Sequence, residues 1–118
     1  MQGKLGAVML YAADHVGLAT WYHEVLGLPQ AKQYEETHLG CVHEDMYFGF
    51  NRHTPQPVPG AVSLWFCVDD CDAEFAEVKG RGGVPVHEPH DTSWGARVCC
   101  FLDPAGNRVW LYTYLPKE

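Results

Sequence analysis

The stretch "DHVGLATWYHEVLG", residues 14–27, has the spacing of an amphipathic helix. Its apolar residues recur every three or four positions, which places them on one helical face. Asp14 can cap the first turn through its carboxylate, and Gly27 can end the helix in the left-handed conformation. An apolar stretch, "KLGAVMLYA" at residues 4–12, comes before it. This half of the chain therefore begins with a predicted strand followed by a helix.

The second half repeats this order. "AVSLWFCV", residues 61–68, is predicted to be a strand, and "CDAEFAEVKGRGG", residues 71–83, a short helix that ends at glycines. Asp70 of the second half corresponds to Asp14 of the first, and Gly83 to Gly27. A repeated strand–helix unit indicates two modules of one kind.

The segment "HTPQPVPG" separates the two halves and contains three prolines, which exclude a helix or a central strand. We therefore predict a single domain over residues 1–118, with module one at about 1–53, a linker at about 54–60 and module two at about 61–118.

Three strand-like segments follow each helix. The last two are joined by "DPAGN", residues 103–107, a turn in which Pro104 sets the first position and Gly106 supplies a positive φ. The predicted fold class is α+β, with two tandem βαβββ modules, eight strands and two helices.

Composition narrows the function classes. The chain has 118 residues, 47% of them hydrophobic, and a net charge of −7 with scattered Lys and Arg. Scattered cations disfavour nucleic acid as a partner, and no apolar run is long enough to cross a membrane. Five cysteines with no CxxC pair indicate reduced, mostly buried thiols. We expect a cytoplasmic protein without nucleic-acid or membrane partners.

The closing strand, "NRVWLYTYL" at residues 107–115, is unusual because both of its faces are bulky. Alternation with period two puts Val109 and Leu111 on one face and Trp110 and Tyr112 on the other. A half-buried strand normally has one apolar and one polar face. The aromatic face therefore requires a function or a second layer of packing.

Three segments resemble those of the vicinal oxygen chelate superfamily, which includes glyoxalase I, extradiol dioxygenases, fosfomycin resistance proteins and bleomycin resistance proteins. They are "DHVGLATWYHEVLGL", "CVDDCDAEFAEVKGRGG" and "WGARVCCFLDPAGNRVWLY". The resemblance implies that the modules form a curved mixed sheet, a half-barrel, with helices on its convex side and the site on its concave side. It also implies a homodimer.

The resemblance also implies where a metal would be held, because enzymes of the superfamily use His, Gln or Glu on the first and fourth strands of each module. Those positions correspond here to Ala7, Ser63 and Trp110, and to a position at or beside Phe48. None offers the imidazole or carboxylate that a divalent cation requires. We therefore predict no metal and no other cofactor.

The concave groove is instead predicted to be lined by rings. Strand alternation and a rim position on a loop give the candidate ligand-binding residues Met9, Tyr11, Phe48, Phe50, Ser63, Trp65, Trp94, Trp110 and Tyr112. Mostly aromatic walls with a few polar groups are typical of ligand pockets. Two facing tryptophans, Trp65 and Trp110, could stack on a flat heteroaromatic or hold a cation over their π faces.

No catalytic residue is predicted, because Ser63 and Cys67 have no histidine or carboxylate expected on the same face. The sequence thus favours a metal-free binding protein, similar to bleomycin resistance proteins, that sequesters a planar aromatic molecule such as a cationic antibiotic. One alternative is a metal-dependent lyase, isomerase or dioxygenase with ligands moved to His43, His87 or nearby acidic residues. Another is a structural or regulatory dimer with a filled groove.

Overall fold

The computed structural model of the chain describes residues 2, 5–53 and 62–117. The chain forms two compact units, Met1–Pro57 and Val58–Glu118. Each unit runs strand, helix, strand, strand, strand, which confirms the predicted α+β class with two βαβββ modules. The predicted linker at residues 54–60 lies outside the described residues.

The first unit is a four-stranded sheet with one helix. Its elements are β1 (Ala7–Ala12), α1 (His15–Glu24), β2 (Lys32–Glu35), β3 (His38–His43) and β4 (Met46–Arg52). The strands lie in the order β1-β4-β3-β2. The β1 and β4 strands are parallel, while β3 is antiparallel to both of its neighbours.

The second unit repeats this arrangement. Its elements are β5 (Ser63–Cys67), α2 (Cys71–Gly80), β6 (Val84–Asp91), β7 (Ala96–Leu102) and β8 (Arg108–Tyr114). The order is β5-β8-β7-β6, again with the first and last strands of the module parallel. Two register shifts interrupt the pairing of β6 with β7. Prolines at positions 85 and 89 cannot donate to the ladder, which suits β6 to the edge of the sheet.

Both helices begin at the predicted aspartates. The Gly17 N–H donates to Asp14 Oδ1 at 2.9 Å, and the Ala73 N–H donates to Asp70 Oδ1 at 3.1 Å. Each bond satisfies one of the amide groups that a helix start leaves without an intrahelical partner. Gly27 follows α1 with a φ of 90°, a conformation that glycine adopts without steric cost.

The core of the first unit lies between its sheet and α1. Tyr22 of α1 is fully buried, and its ring lies 5.4 Å from that of Phe50 on β4. Phe48 and Leu10 are buried on the same side, because Val8 pairs with Phe48 and Leu10 with Phe50. The prediction that Phe48 and Phe50 share a face with Met9 and Tyr11 is therefore wrong.

The core of the second unit lies between its sheet and α2. The rings of Phe75 and Phe101 lie 5.3 Å apart, and Cys71 and Cys99 are buried beside them. Of the five free thiols, four are buried and only Cys67 is exposed, which agrees with the expectation of mostly buried cysteines. No helix in the described part of the chain is long and apolar enough to span a bilayer.

Candidate functional site

Six rings cover the side of the second sheet that faces away from the α2 core. We call this surface the aromatic face; its members are Trp65, His87, Trp94, Trp110, Tyr112 and Tyr114. Direct pairing of Trp65 with Trp110 and of Cys67 with Tyr112 places residues of β5 and β8 side by side on this surface. Period-two alternation therefore predicted this face of β5 and β8 correctly.

The centre of the aromatic face is a stack of three rings. Trp65 and Trp110 are 4.7 Å apart between centroids with planes 5° from parallel, and Trp110 and His87 are 5.3 Å apart at 18°. A flat ligand inserted between these two rings would require them to stand about twice as far apart as two rings in direct stacking contact. The stack therefore leaves no room for a ligand between Trp65 and Trp110. A ligand can stack only on the outer surface of this array.

His87 is a member of the site that the sequence did not reveal. The register shifts on both sides of His87 break the alternation of β6, so its face cannot be read by counting. His87 reaches Trp110 across Cys100, which pairs with both residues and is fully buried. The expectation that no histidine shares the face of Ser63 and Cys67 is thus wrong. Within the described residues, however, no hydrogen bond joins His87 to either of them.

The rim of the aromatic face is open. Trp65 and Trp94 retain 47% and 56% of their accessible surface, and their rings meet edge to face at 6.3 Å. Tyr112 contacts Trp65 at 6.1 Å and is half-buried, and this burial raises the pKa of its hydroxyl above the usual range. Ser63 is exposed at the start of β5. These two hydroxyls are among the polar groups on this surface, together with the exposed His87 and Tyr114.

The remaining predicted residues belong to the first unit. Met9 and Tyr11 are exposed on the side of the first sheet that faces away from α1, at 43% and 45% of their accessible surface. Phe48 and Phe50 are buried under α1 and cannot contact a ligand on that side. Five of the nine predicted residues, all in the second unit, thus lie on or beside the aromatic face: Ser63, Trp65, Trp94, Trp110 and Tyr112.

The residues at the implied metal positions do not fit a divalent cation. In the second unit Ser63 pairs with Arg108, two residues before Trp110. In the first unit Ala7 pairs with Tyr47, so the equivalent position, two residues later on β4, is Gly49, the residue beside Phe48. Glycine has no donor side chain.

The alternative prediction, a metal site relocated to other residues, also lacks a set of donor side chains in the described structure. Across residues 5–53 and 62–117, no three His, Cys, Asp or Glu side chains converge to hold an ion. His87, one of the two histidines named for such a site, is stacked on Trp110.

The buried thiols are not suited to nucleophilic chemistry. Burial raises the pKa of Cys100 to about 11 and also raises that of Cys99. The thiolate, which is the reactive form, is therefore suppressed at neutral pH. The site offers aromatic surface, hydroxyl groups and the imidazole of His87.

Comparison by sequence identifies one family. The model of the Glyoxalase/Bleomycin resistance protein/Dioxygenase superfamily matches residues 4–111. Comparison with curated proteins gives no match.

Solved structures reproduce this fold over nearly the whole chain. A glyoxalase/bleomycin resistance protein/dioxygenase from Nocardioides has a TM-score of 0.88 at 14% identity, covering 100% of this chain and 87% of that one. A family enzyme from Burkholderia phytofirmans PsJN has a TM-score of 0.81 at 20% identity, covering 96% and 100%. TnmS3, an antibiotic binding protein from Streptomyces sp. CB03234, has a TM-score of 0.79 at 25% identity, covering 96% and 97%.

Proposed function

The chain belongs to the Glyoxalase/Bleomycin resistance protein/Dioxygenase superfamily, and from this membership we propose that it is a metal-independent binding protein for a planar aromatic molecule. The ligand stacks on the outer side of the aromatic face, over Trp65 and against Trp94. Binding of this kind requires affinity alone, so residues that could hold a metal are not needed.

The observation that carries this proposal is the exposed stack on the second sheet. Trp65 lies flat on Trp110 but keeps nearly half of its surface accessible. Contiguous apolar patches that stay exposed on a protein surface are typical of ligand-binding or interaction sites. A stacked aromatic pair contributes about 0.5–1.5 kcal/mol beyond the area that it buries. Two contacts of this size, with Trp65 and Trp94, would add about 1–3 kcal/mol to the free energy gained from the buried apolar area.

The similarity to TnmS3 supports an antibiotic or similar aromatic compound as the ligand class. That protein is an antibiotic binding protein, and this chain is 25% identical to it over 96% of its length. The net charge of −7 favours a cationic or neutral molecule over an anion.

A titration with proflavine, a planar cation, tests the proposal. We expect saturable quenching of tryptophan fluorescence, with an affinity unchanged by EDTA and no stoichiometric metal in elemental analysis of protein purified without chelator. Replacement of Trp65 by Ala should weaken binding about tenfold, as expected for loss of a central aromatic contact.

The matched control is Trp21→Phe, a change on α1 of the first unit, which should leave the affinity unchanged. Circular dichroism verifies that each variant is folded. Equal affinity in wild type, Trp65→Ala and Trp94→Ala would overturn the proposal, as would the absence of any fluorescence change. Stoichiometric metal, together with loss of binding in EDTA, would favour the metal-dependent alternative.

A cytoplasmic homodimer that protects its host by sequestering a drug completes the proposal. The dimer and the protective role come from the family resemblance, the cytoplasmic location comes from the composition of the sequence, and none of the three comes from the geometry of either unit. Sedimentation equilibrium tests the dimer, and growth of cells that express the wild type or Trp65→Ala under drug challenge tests the protection.

A further inference from the structure

Three polar side chains form a hydrogen-bonded chain on the first sheet, on the side facing away from α1. His38 Nδ1 lies 2.7 Å from Asn51 Oδ1, and His38 Nε2 lies 2.6 Å from the Tyr47 hydroxyl. All three side chains are half-buried. The aromatic face of the second unit contributes no residue to this cluster, so a role for the cluster does not depend on ligand binding at the aromatic face.

Two glycines make room for this chain. Gly40 of β3 pairs directly with Gly49 of β4. A methyl group on Gly40 would overlap the Tyr47 hydroxyl, and one on Gly49 would overlap the Met9 sulfur and press on the His38 ring. The absence of side chains at Gly40 and Gly49 therefore leaves a shallow depression in the sheet surface, and the Tyr47 and His38 side chains occupy it.

The direction of every hydrogen bond in the chain is set by one backbone group. The Asn51 amide nitrogen lies 3.4 Å from the carbonyl oxygen of Leu10, which can only accept. Asn51 Oδ1 must then face His38, and because this oxygen also only accepts, His38 Nδ1 carries the proton. In the neutral imidazole Nε2 is consequently the acceptor, and it takes the Tyr47 hydroxyl hydrogen.

The Tyr47 oxygen is left as an acceptor, because its one hydrogen is committed to His38. Burial is the largest cause that raises the pKa of Tyr47, which keeps the phenol protonated at neutral pH. Within the described residues Lys32 Nζ lies over the Tyr34 ring at 5.4 Å, and that ring is 6.1 Å from His38. This ammonium group disfavours a second cation nearby. The exposed side chains of Met9 and Tyr34 provide apolar contact for a ring.

We propose that this surface is a binding site for a neutral, ring-bearing molecule whose hydroxyl or amide N–H donates to the Tyr47 oxygen. His38 and Asn51 act as positioning residues, since they hold the tyrosine as an acceptor without contacting the donor.

Phenol and anisole make a matched pair of probes, because both are neutral rings and only phenol can donate. Nitrogen-15 spectra of the histidine rings at pH 7.5 should show His38 protonated at Nδ1 alone. Phenol should shift the His38 Nε2 and Tyr47 Cζ resonances saturably, and anisole should bind about two- to tenfold more weakly. Tyr47→Phe should remove this difference, and the Asn51→Ala variant should reduce it.

Equal binding of the two probes to the wild type would overturn the inference, and so would a phenol preference that survives in Tyr47→Phe. A proton on His38 Nε2 in the free protein would also overturn it. If Tyr47→Phe does not fold, Gly40→Ala crowds the same hydroxyl and should reduce the phenol preference. Persistence of the phenol response in Trp65→Ala separates this site from the aromatic face, whose own readout is tryptophan fluorescence.

Discussion

Trp65 and Trp110 lie face to face, 4.7 Å apart between ring centroids and 5° from parallel. The two residues are directly paired across β5 and β8, so the strand register itself sets the stack. Trp110 is also covered on its other side by His87. Within the described part of the chain, Trp110 is thus stacked on both faces and Trp65 on one. Trp110 is therefore the more strongly packed of the two indoles, and Trp65 keeps a face open to a ligand.

Trp110 should contribute more to stability than Trp65. Trp110→Ala removes two stacking contacts and a half-buried indole, and we expect it to lower the free energy of unfolding by about 2–4 kcal/mol. Trp65→Ala, at a half-exposed position with one stacked neighbour, should cost about 1 kcal/mol. Urea unfolding followed by far-ultraviolet circular dichroism measures both. Equal losses in the two variants would show that the three-ring stack does not organise this face.

Sequence alternation predicted the faces of β5 and β8 but not that of β4, and the difference has a physical cause. Leu64 precedes Trp65, and Val109 and Leu111 flank Trp110. These aliphatic neighbours identify the core face of each strand, which puts the tryptophans on the other face. On β4 both faces are aromatic, with Tyr47 on one side and Phe48 on the other. With large rings on both faces, alternation cannot show which face of β4 packs against α1.

The missing information was the register of β4. It is set by its pairing with β1 and by a tight turn in which Glu44 and Asp45 adopt φ values of 50° and 66°. Positive φ at both central residues is the signature of a type I′ hairpin, which normally selects glycine or asparagine. Because neither residue is glycine or asparagine, the sequence did not reveal the turn type, and a shift of one residue in the pairing exchanges the two faces.

Phe50 and Tyr11 provide a direct test of the corrected register. Phe50 is fully buried against Tyr22, so Phe50→Ala should destabilise the protein by about 3–5 kcal/mol. Tyr11 is 45% exposed on the opposite side, and Tyr11→Ala should cost less than about 1 kcal/mol. Thermal and urea unfolding distinguish these outcomes. A mild Phe50→Ala variant would place Phe50 outside the core and restore it as a candidate for ligand contact.

The buried thiols should make the fold sensitive to alkali. Burial raises the pKa of Cys100 from 9.0 to about 11, so the folded state holds its proton where the unfolded state loses it. The contribution to stability is complete below pH 9 and is lost as the pH rises from 9 toward 11. Unfolding free energies measured from pH 7 to 10.5 should fall above pH 9. Cys100→Ala should flatten this fall, whereas an unchanged slope would contradict it.

The turn between β7 and β8 is held by one buried carboxylate. Asp103 Oδ1 accepts from the backbone N–H groups of Ala105 and Asn107 at 2.8 and 2.9 Å, and Asp103 Oδ2 accepts from the Asn107 side-chain amide at 2.9 Å. Asp103 and Asn107 are only 5% and 6% exposed. The turn joins β7 directly to β8, so its geometry helps to set the register that places Trp110 beside Cys100, under the tryptophan stack.

Asp103→Ala should therefore be one of the most damaging polar substitutions in the second unit. It leaves buried donors at Asn107 without their acceptor, and we expect a loss of about 2–4 kcal/mol in the free energy of unfolding. Asp91→Ala is the matched control, because it removes a carboxylate whose ion pair with Arg97 is exposed and contributes less than about 1 kcal/mol. Urea unfolding compares the two, and near-ultraviolet circular dichroism reports the tryptophan stack. Equal losses, or an unchanged tryptophan spectrum in Asp103→Ala, would show that the stack forms without the turn.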